Sequence, residues 1–500
     1  MKHQAITSLE ETTILTYILT IFKGESVDEK GSLFTALSAE SGEYIKKVVS
    51  SFDGTLGKVE KVTLPAQEEK IVLLLGLGER EKYTARKYNV AIRALIKGMR
   101  SLHITSAVID SALPLPIEVE RHEGMRSFAI NAEMANYEFV KYKETPQEGW
   151  FFVEELSYLV DASQKEKILN EIEQGAIIGV YTSHARDLSN TPGGDMTPSI
   201  LAEEAKKLAQ DSGATCDIIG EEEMAKLGMG GILGVSKGSV EDARLIVLEY
   251  HGADEKEKPL VFLGKGITFD SGGLDLKISG SMLEMHMDMT GAGSVISAVC
   301  AIAKLGLKVN IVGVCPAVEN MPSGQSYRPG DLLKSMSGKT IEVLTPDAEG
   351  RIVLADALTY TEKRYDPALV VDLATLTGAC VVALGTTASA VLTPDDAFAQ
   401  EICAIGERAG DYMWPLPLWE EYESEVKGTF GDVINAGSQK RSAGTINAGM
   451  FLYQFAKSFK KWAHIDIAST MTTSDGQFLS KGASGTGVRF LVELARSRAL

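Results

Sequence analysis

Along this chain, short apolar runs alternate with longer stretches in which apolar residues recur every three or four positions. The first pattern belongs to strands buried on both faces, the second to helices with one apolar stripe. Residues 14–22, 71–75 and 107–109 read as strands, and 85–99 as a helix between them. Residues 1–165 are therefore expected to form a small α/β domain. The charged stretch 141–149, which contains Pro146, reads as a loop, and 161–185 as a helix leading onward, so that 166–185 is the expected linker helix. From residue 186 to 500, apolar runs at 245–249, 260–263, 309–314, 369–372 and 465–468 alternate with helical segments such as 290–305 and 352–363. That order predicts an α/β/α sandwich with a mixed, largely parallel sheet. No internal repeat or low-complexity tract interrupts it.

Composition narrows the class. Five hundred residues with 44% hydrophobic content are enough for two or more domains with large cores. A formal charge of −18 opposes general binding to nucleic acid or anionic lipid, since both demand a basic surface. Cys216, Cys300, Cys315, Cys380 and Cys403 are odd in number, scattered and without C-x-x-C spacing. They read as reduced thiols of a cytoplasmic protein. The first residues lack a basic-then-apolar signal, and the run 14–22 is short and broken by Thr16 and Thr20. The expectation is a chain neither exported by that route nor membrane-spanning.

The chemistry concentrates in three places: Gly264-Lys265-Gly266-Ile267-Thr268-Phe269-Asp270-Ser271-Gly272-Gly273, then Lys277 and Asp288, then Asp347-Ala348-Glu349-Gly350-Arg351. Acids and lysines set among glycines suit a two-metal hydrolytic centre, where hard cations are held by oxygen close to passing backbone. The run ending at Leu263 feeds a glycine-rich loop, which puts Asp270 just beyond the carboxyl end of a central strand, where open α/β sheets keep their ligand crevices. Asp347 and Glu349 are two apart, so an extended segment would send both side chains to one face, and Gly350 would permit a sharp turn. Four carboxylates crowded together repel unless cations neutralise them. Lys265 could ligate only with its pKa driven far down, whereas Lys277 and Arg351 would keep their charge to polarise a carbonyl and hold an anion.

These residues resemble the leucyl (cytosol) aminopeptidases, peptidase family M17. The resemblance runs over about residues 180–490 and includes Asn190-Thr191-Pro192, Met196-Thr197-Pro198, Glu319-Asn320-Met321-Pro322, Arg328-Pro329-Gly330-Asp331, Thr375-Leu376-Thr377-Gly378 and His464-Ile465-Asp466-Ile467-Ala468. It implies that Lys265, Asp270, Asp288 and Glu349 hold a tighter metal, and that Asp270, Asp347 and Glu349 hold a more exchangeable one. It implies a water bridging the two ions as nucleophile, Lys277 stabilising the oxyanion, and a bicarbonate on Arg351 as general base. Met285, Thr375, Gly378, Ala468 and Met471 match positions lining the family's first-residue pocket, whose apolar character suits leucine or methionine. Manganese is the favoured ion, with zinc, magnesium or cobalt as alternatives. The resemblance further implies a macro-like N-terminal domain and a homohexamer acting on peptides with free amino termini. One departure stands out: Thr345-Pro346 replaces the family's usual Asn-Thr before Asp347, removing a backbone donor.

Other features read more plainly. Asp275 and Glu284 match no ligand position and read as solvated or hydrogen-bonded surface acids, and His286 as a packing residue or one that supports a ligand from behind. Gly234-Val235-Ser236-Lys237-Gly238 fits a nucleophile-elbow pattern, but no strand leads into it and no histidine is tied to it. Gly76-Leu77-Gly78 lacks the third glycine of a dinucleotide fingerprint and reads as a strand-to-helix turn. A phosphoesterase with a similar carboxylate cluster would have no need of the Lys277 and Arg351 pair, and an inactive scaffold would be expected to have lost a ligand.

Overall fold

The computed structural model describes residues 1–26, 31–64, 67–116, 119–278, 280–437 and 442–499. They form two compact units, Met1–Ser183 with Ser474–Ser480, and His184–Thr473 with Lys481–Leu500. The first holds a six-stranded sheet ordered β1-β6-β5-β2-β4-β3, from strands β1 (Lys2–Ile6), β2 (Thr16–Phe22), β3 (Val59–Leu64), β4 (Gln67–Gly78), β5 (Ser106–Asp110) and β6 (Glu155–Leu159). All its pairings are parallel except the β3–β4 edge. Helices α1 (Ser32–Ser51), α2 (Ala85–Ser101) and α3 (Arg121–Asn136) cover it, and α4 (Lys165–Asn190) follows β6. The helix expected over 161–185 is α4, begun by a 3-10 turn that Asp161 caps through the Ser163 N–H. It outruns the expected end because Arg186 and Leu188 are buried and Pro192 comes only later. The division between the units therefore falls inside a helix.

The second unit carries β7 (Thr215–Gly220), β8 (Arg244–His251), β9 (Leu260–Gly264), β10 (Gly266–Asp270), β11 (Asn310–Asn320), β12 (Leu332–Lys334), β13 (Thr340–Glu342), β14 (Leu369–Ala374), β15 (Ser389–Leu392), β16 (Met413–Pro415), β17 (Val433–Ile434) and β18 (Trp462–Asp466). Nine of them form one mixed sheet, ordered β16-β15-β18-β14-β9-β11-β8-β7 with β10 beside β11, and largely parallel through its centre. Its helices are α5 (Pro198–Ser212), α6 (Glu221–Leu227), α7 (Gly230–Ser236), α8 (Thr290–Leu305), α9 (Glu349–Arg364), α10 (Gly378–Leu384), α11 (Asp396–Ala409), α12 (Gly444–Ala456) and α13 (Val488–Arg496).

Strand alternation assigns the two faces. Val312 and Val314 pack into one core with Ile352 and Val353 of α9 and Phe451 of α12, while Gly313 between them faces Val295 and Val299 of α8. This is an α/β fold with helices on both faces of the central sheet. Residues 285–305 are long and apolar enough to cross a membrane, but most of that stretch is buried. It is the unit's interior helix.

Two expected strands sit differently. The run at 309–314 extends to Asn320, because β11 pairs with β8 up to Ala317 and then with β10. The strand expected at 465–468 is Trp462–Asp466, its first half disguised by His464, which is buried against Asp372 of β14 at 2.5 Å.

Candidate metal centre

The glycine-rich loop expected after Leu263 is in fact a second strand. Only Lys265 separates β9 from β10, and it is clamped there, its N–H donating to the Leu373 carbonyl at 3.0 Å while its own carbonyl accepts the Ala292 N–H at 2.8 Å. Gly264 permits this, since a Cβ would lie 2.5 Å from the Gly291 carbonyl oxygen and 2.6 Å from Ala292 Cα. Asp270 ends β10 in register with Asn320 at the end of β11. The chain then doubles back. Gly272 and Gly273 take φ of 85° and 61°, the Lys277 N–H donates to the Ser271 carbonyl at 2.9 Å, and the Lys277 side chain is carried over Asp270.

Asp288 follows a 3-10 turn, Met285–Met287, just before α8. Asp347 and Glu349 do not share an extended segment as expected. Asp347 lies in a turn and Glu349 is the first residue of α9, so a helix start brings them together. Gly350 makes no sharp turn either. It is helical, and its missing Cβ leaves room for Lys265, whose Cε would lie 2.4 Å from such an atom.

Six of the expected residues converge. Oxygens of Asp270, Asp347 and Glu349 lie within 4.8 Å of one another. The Lys277 ammonium sits 2.6 Å from Asp270 Oδ2 and 2.5 Å from Asp347 Oδ1. The Lys265 ammonium sits 2.7 Å from Asp288 Oδ2 and 2.9 Å from Glu349 Oε1, and donates to the Thr375 carbonyl at 3.0 Å. Asp288 Oδ2 is close to that ammonium yet out of line for a hydrogen bond, and Glu349 Oε2 has no partner at all.

Electrostatics match this crowding. Burial, and repulsion from Glu349, push the Asp270 carboxyl above its ordinary value despite both lysines. Burial raises Asp288 further, against the attraction of Lys265. Asp347 is raised too, chiefly by burial. Burial alone would push Lys265 down, but Asp288, Glu349 and Asp270 outweigh it and hold it above the usual lysine range. Lys277 is raised in the same way. Acids outnumber ammoniums four to two, and Glu349 Oε2 is buried without a hydrogen-bond donor. Hard divalent cations satisfy such a donor set.

Arg351, one helical step beyond Gly350, is 7% exposed and its Nε is unpartnered. Burial brings its pKa down to about 10, opposed by the charges of Glu349 and Asp466, so it stays cationic at neutral pH. The Thr375 hydroxyl donates to Asp288 Oδ1 at 2.7 Å. Met285, Ala468 and Met471 are half-buried and Gly378 is exposed. His286 is half-buried, with burial lowering its pKa, and lies outside the carboxylate group. Asp275 accepts the Thr345 hydroxyl.

Residues beyond those expected support the centre. Asn320 Nδ2 donates to Asp270 Oδ1 at 2.8 Å and to the Pro346 carbonyl at 3.0 Å, and the Tyr327 hydroxyl donates to that carbonyl at 2.6 Å. Asn435 Nδ2 donates to the Thr345 carbonyl at 2.6 Å, and its Oδ1 accepts the Leu344 N–H at 2.7 Å. The unusual Thr345-Pro346 pair is thus held from three sides, through carbonyls that a proline keeps. Asn320 stood within the Glu319 to Pro322 segment as a polar residue ending an apolar run, and that was the available signal.

Residues 183–492 match the family profile described as Cytosol aminopeptidase family, catalytic domain, and residues 18–146 match that family's N-terminal domain. The chain belongs to the cytosol aminopeptidase family. Among curated members, the "Probable cytosol aminopeptidase" of Nitrosococcus oceani is 39% identical over 478 residues, 94% of each chain. The protein of the same name from Methylobacillus flagellatus is 43% identical over 434 residues, 86% of this chain and 85% of that one. Among solved structures, the bottromycin maturation enzyme BotP in complex with Mn superposes with a TM-score of 0.83 at 31% identity, covering 97% of this chain and 99% of that one. This cytosol aminopeptidase family member is accordingly a hydrolase of peptides, and its acidic centre fits the divalent metal dependence of the class.

Proposed function

We propose that the protein removes the amino-terminal residue, with a preference for leucine and other apolar side chains, using two divalent ions held by Asp270, Asp288, Asp347, Glu349 and Lys265. The observation that carries this reading is the convergence of Asp270, Asp347 and Glu349 within 4.8 Å, with Glu349 Oε2 buried and without a hydrogen-bond donor. Bound there, the ions would supply Lewis acidity toward the peptide carbonyl, an activated water, and a seat for the free α-amino group. Manganese is favoured by the oxygen-rich donor set, and a solved relative with a similar fold is a complex with Mn.

The chain's own groups have definite tasks. Lys265 is an ammonium where it stands, so ligation by its nitrogen requires loss of a proton to the other groups of the site or to solvent. Thr375 fixes Asp288, and Asn320 fixes Asp270, which preorganises the carboxylates. Lys277 places a positive charge beside Asp270 and Asp347, where a substrate oxygen gaining charge would be stabilised. Arg351, with an unpartnered Nε, would hold a bicarbonate that carries the proton from water to leaving amine. Met285, Thr375, Gly378, Ala468 and Met471 would receive the first side chain. A homohexamer and a cytoplasmic location belong to the same proposal, the latter in keeping with five free cysteines.

The test is hydrolysis of leucyl-p-nitroanilide by metal-stripped protein reconstituted with Mn²⁺, Zn²⁺ or Mg²⁺. Turnover is expected only with metal, is expected to vanish with an Nα-acetylated analogue, and should rank the ions. A folded protein inactive with every ion would sink the proposal.

A further inference from the structure

Asp466 ends β18, is 0% exposed, and among the described residues makes no side-chain hydrogen bond to those proposed to hold metal. Its Oδ1 accepts the Leu376 N–H at 3.1 Å and the Ala468 N–H at 3.1 Å, while its Oδ2 accepts the Thr377 hydroxyl at 2.6 Å. Thr377 in turn shares a hydrogen bond of 2.8 Å with the Thr445 hydroxyl of α12, and it caps α10 through the Cys380 N–H. One buried carboxylate therefore gathers two separate segments of chain, 375–378 and 467–468. Those segments carry Thr375, Gly378 and Ala468, three of the five residues assigned to the first-residue pocket.

The arrangement is specific. An extended strand end has no reason to bury a negative charge, and the cost of doing so is met only by donors from both segments at once. Without that carboxylate, the Leu376 and Ala468 N–H groups would have to seek water, and beyond the β14–β18 ladder the two segments would lose the group that joins them. A pocket wall free to move discriminates poorly, because the side chain it should select no longer meets a fixed surface.

We propose that Asp466 is the positioning residue that sets the shape, and so the side-chain selectivity, of the first-residue pocket. The inference rests on the aminopeptidase reading and on the pocket assignment. The test compares the Mn²⁺-loaded full-length protein with its Asp466→Ala and Thr377→Val variants on leucyl-, methionyl- and alanyl-p-nitroanilide. Thr377→Val keeps the side-chain shape while removing the hydroxyl's bond to the carboxylate together with its bonds to Thr445 and the Cys380 N–H, and so keeps the question open to decision if Asp466→Ala does not fold.

Loss of uniform side-chain binding raises KM and spares kcat. The leucyl-to-alanyl ratio of kcat/KM is expected to fall roughly ten-fold in Asp466→Ala and about three-fold in Thr377→Val, with the change in KM. Bound Mn²⁺ per chain is expected to stay at the wild-type value. An unchanged ratio in Thr377→Val, or a fall in kcat shared equally by all three substrates, would overturn the inference while leaving the aminopeptidase reading intact. A wild-type protein inactive on all three would overturn both.

Discussion

Glu349 at the start of α9 and Asp356, about two turns further along the same helix, are both buried carboxylates, 1% and 0% exposed. Their surroundings differ completely. Asp356 Oδ2 accepts the Gly231 and Ile232 N–H groups at 2.8 and 2.9 Å, which belong to the first turn of α7, and Oδ1 accepts the Met336 N–H at 2.7 Å. Glu349 Oε1 has only the Lys265 ammonium 2.9 Å away, and Oε2 meets no donor. A buried carboxylate whose lone pairs are filled by backbone donors is scaffold, because it joins elements and wants nothing more. One left open among other acids is suited to a ligand's place, because a cation would complete it.

Exchanging the two acids for alanine should separate these roles. Glu349→Ala is expected to lower kcat/KM by about 10³-fold or more, some 4 kcal/mol of transition-state stabilisation. The metal-free protein should unfold in urea close to the wild-type midpoint, since the substitution removes one of four mutually repelling carboxylates. Asp356→Ala should do the reverse, losing about 3 kcal/mol of stability as three N–H groups are stranded, with the folded protein keeping its activity within a few-fold. Kinetics and urea titrations on both variants decide it. A Glu349→Ala protein that unfolds without metal would erase the distinction.

The sequence could not have made that distinction alone. Glu349 stands out as a candidate ligand because acids, lysines and glycines cluster around it, and the strands at 71–75, 260–263 and 369–372 are legible because they are continuous apolar runs. Asp356 lies in an ordinary helical stretch, and its partners come from residues 231, 232 and 336, more than a hundred residues upstream in two cases. Long-range pairing of that kind leaves no local pattern. For the same reason the sequence predicts the convergence of Asp347 and Glu349 but not its cause. A spacing of two suits a strand, and nothing nearby announced that α9 would begin at Glu349. Gly350 was misread with it, since a glycine that makes room looks in sequence like a glycine that turns.

Gly350 offers a finer test of how far the open acid depends on its neighbour. Alanine there would put a Cβ 2.4 Å from Lys265 Cε and 2.7 Å from its Nζ, so the lysine has to move. The backbone is helical, and alanine suits it better than glycine does. Gly350→Ala is therefore expected to leave stability at or slightly above wild type while lowering kcat/KM about 30-fold, roughly 2 kcal/mol. The check is a Mn²⁺ titration followed by activity, where weaker metal binding should account for the loss. Full activity in Gly350→Ala would mean that the position of Lys265 contributes nothing to the centre.

The smallest effect concerns the saturated acid and its response to pH. Burial pushes the Asp356 carboxyl up to about 6 from 3.8, even though the N–H groups of Met336, Ile232 and Gly231 pull the other way. The folded protein therefore holds a proton on this group over a range where the unfolded chain has released it. Stability from this source rises as pH falls through about 6, and above that the ionised group carries its burial cost in full. Asp356→Asn cannot titrate. Measured by urea unfolding, the stability of wild type relative to Asp356→Asn should increase by about 1.4 kcal/mol between about pH 7.5 and about pH 5. A flat difference would mean that three backbone donors outweigh burial, and that even a saturated acid in this interior stays ionised. The contrast with Glu349 would then rest wholly on the donors each acid finds and not on the charge each can sustain.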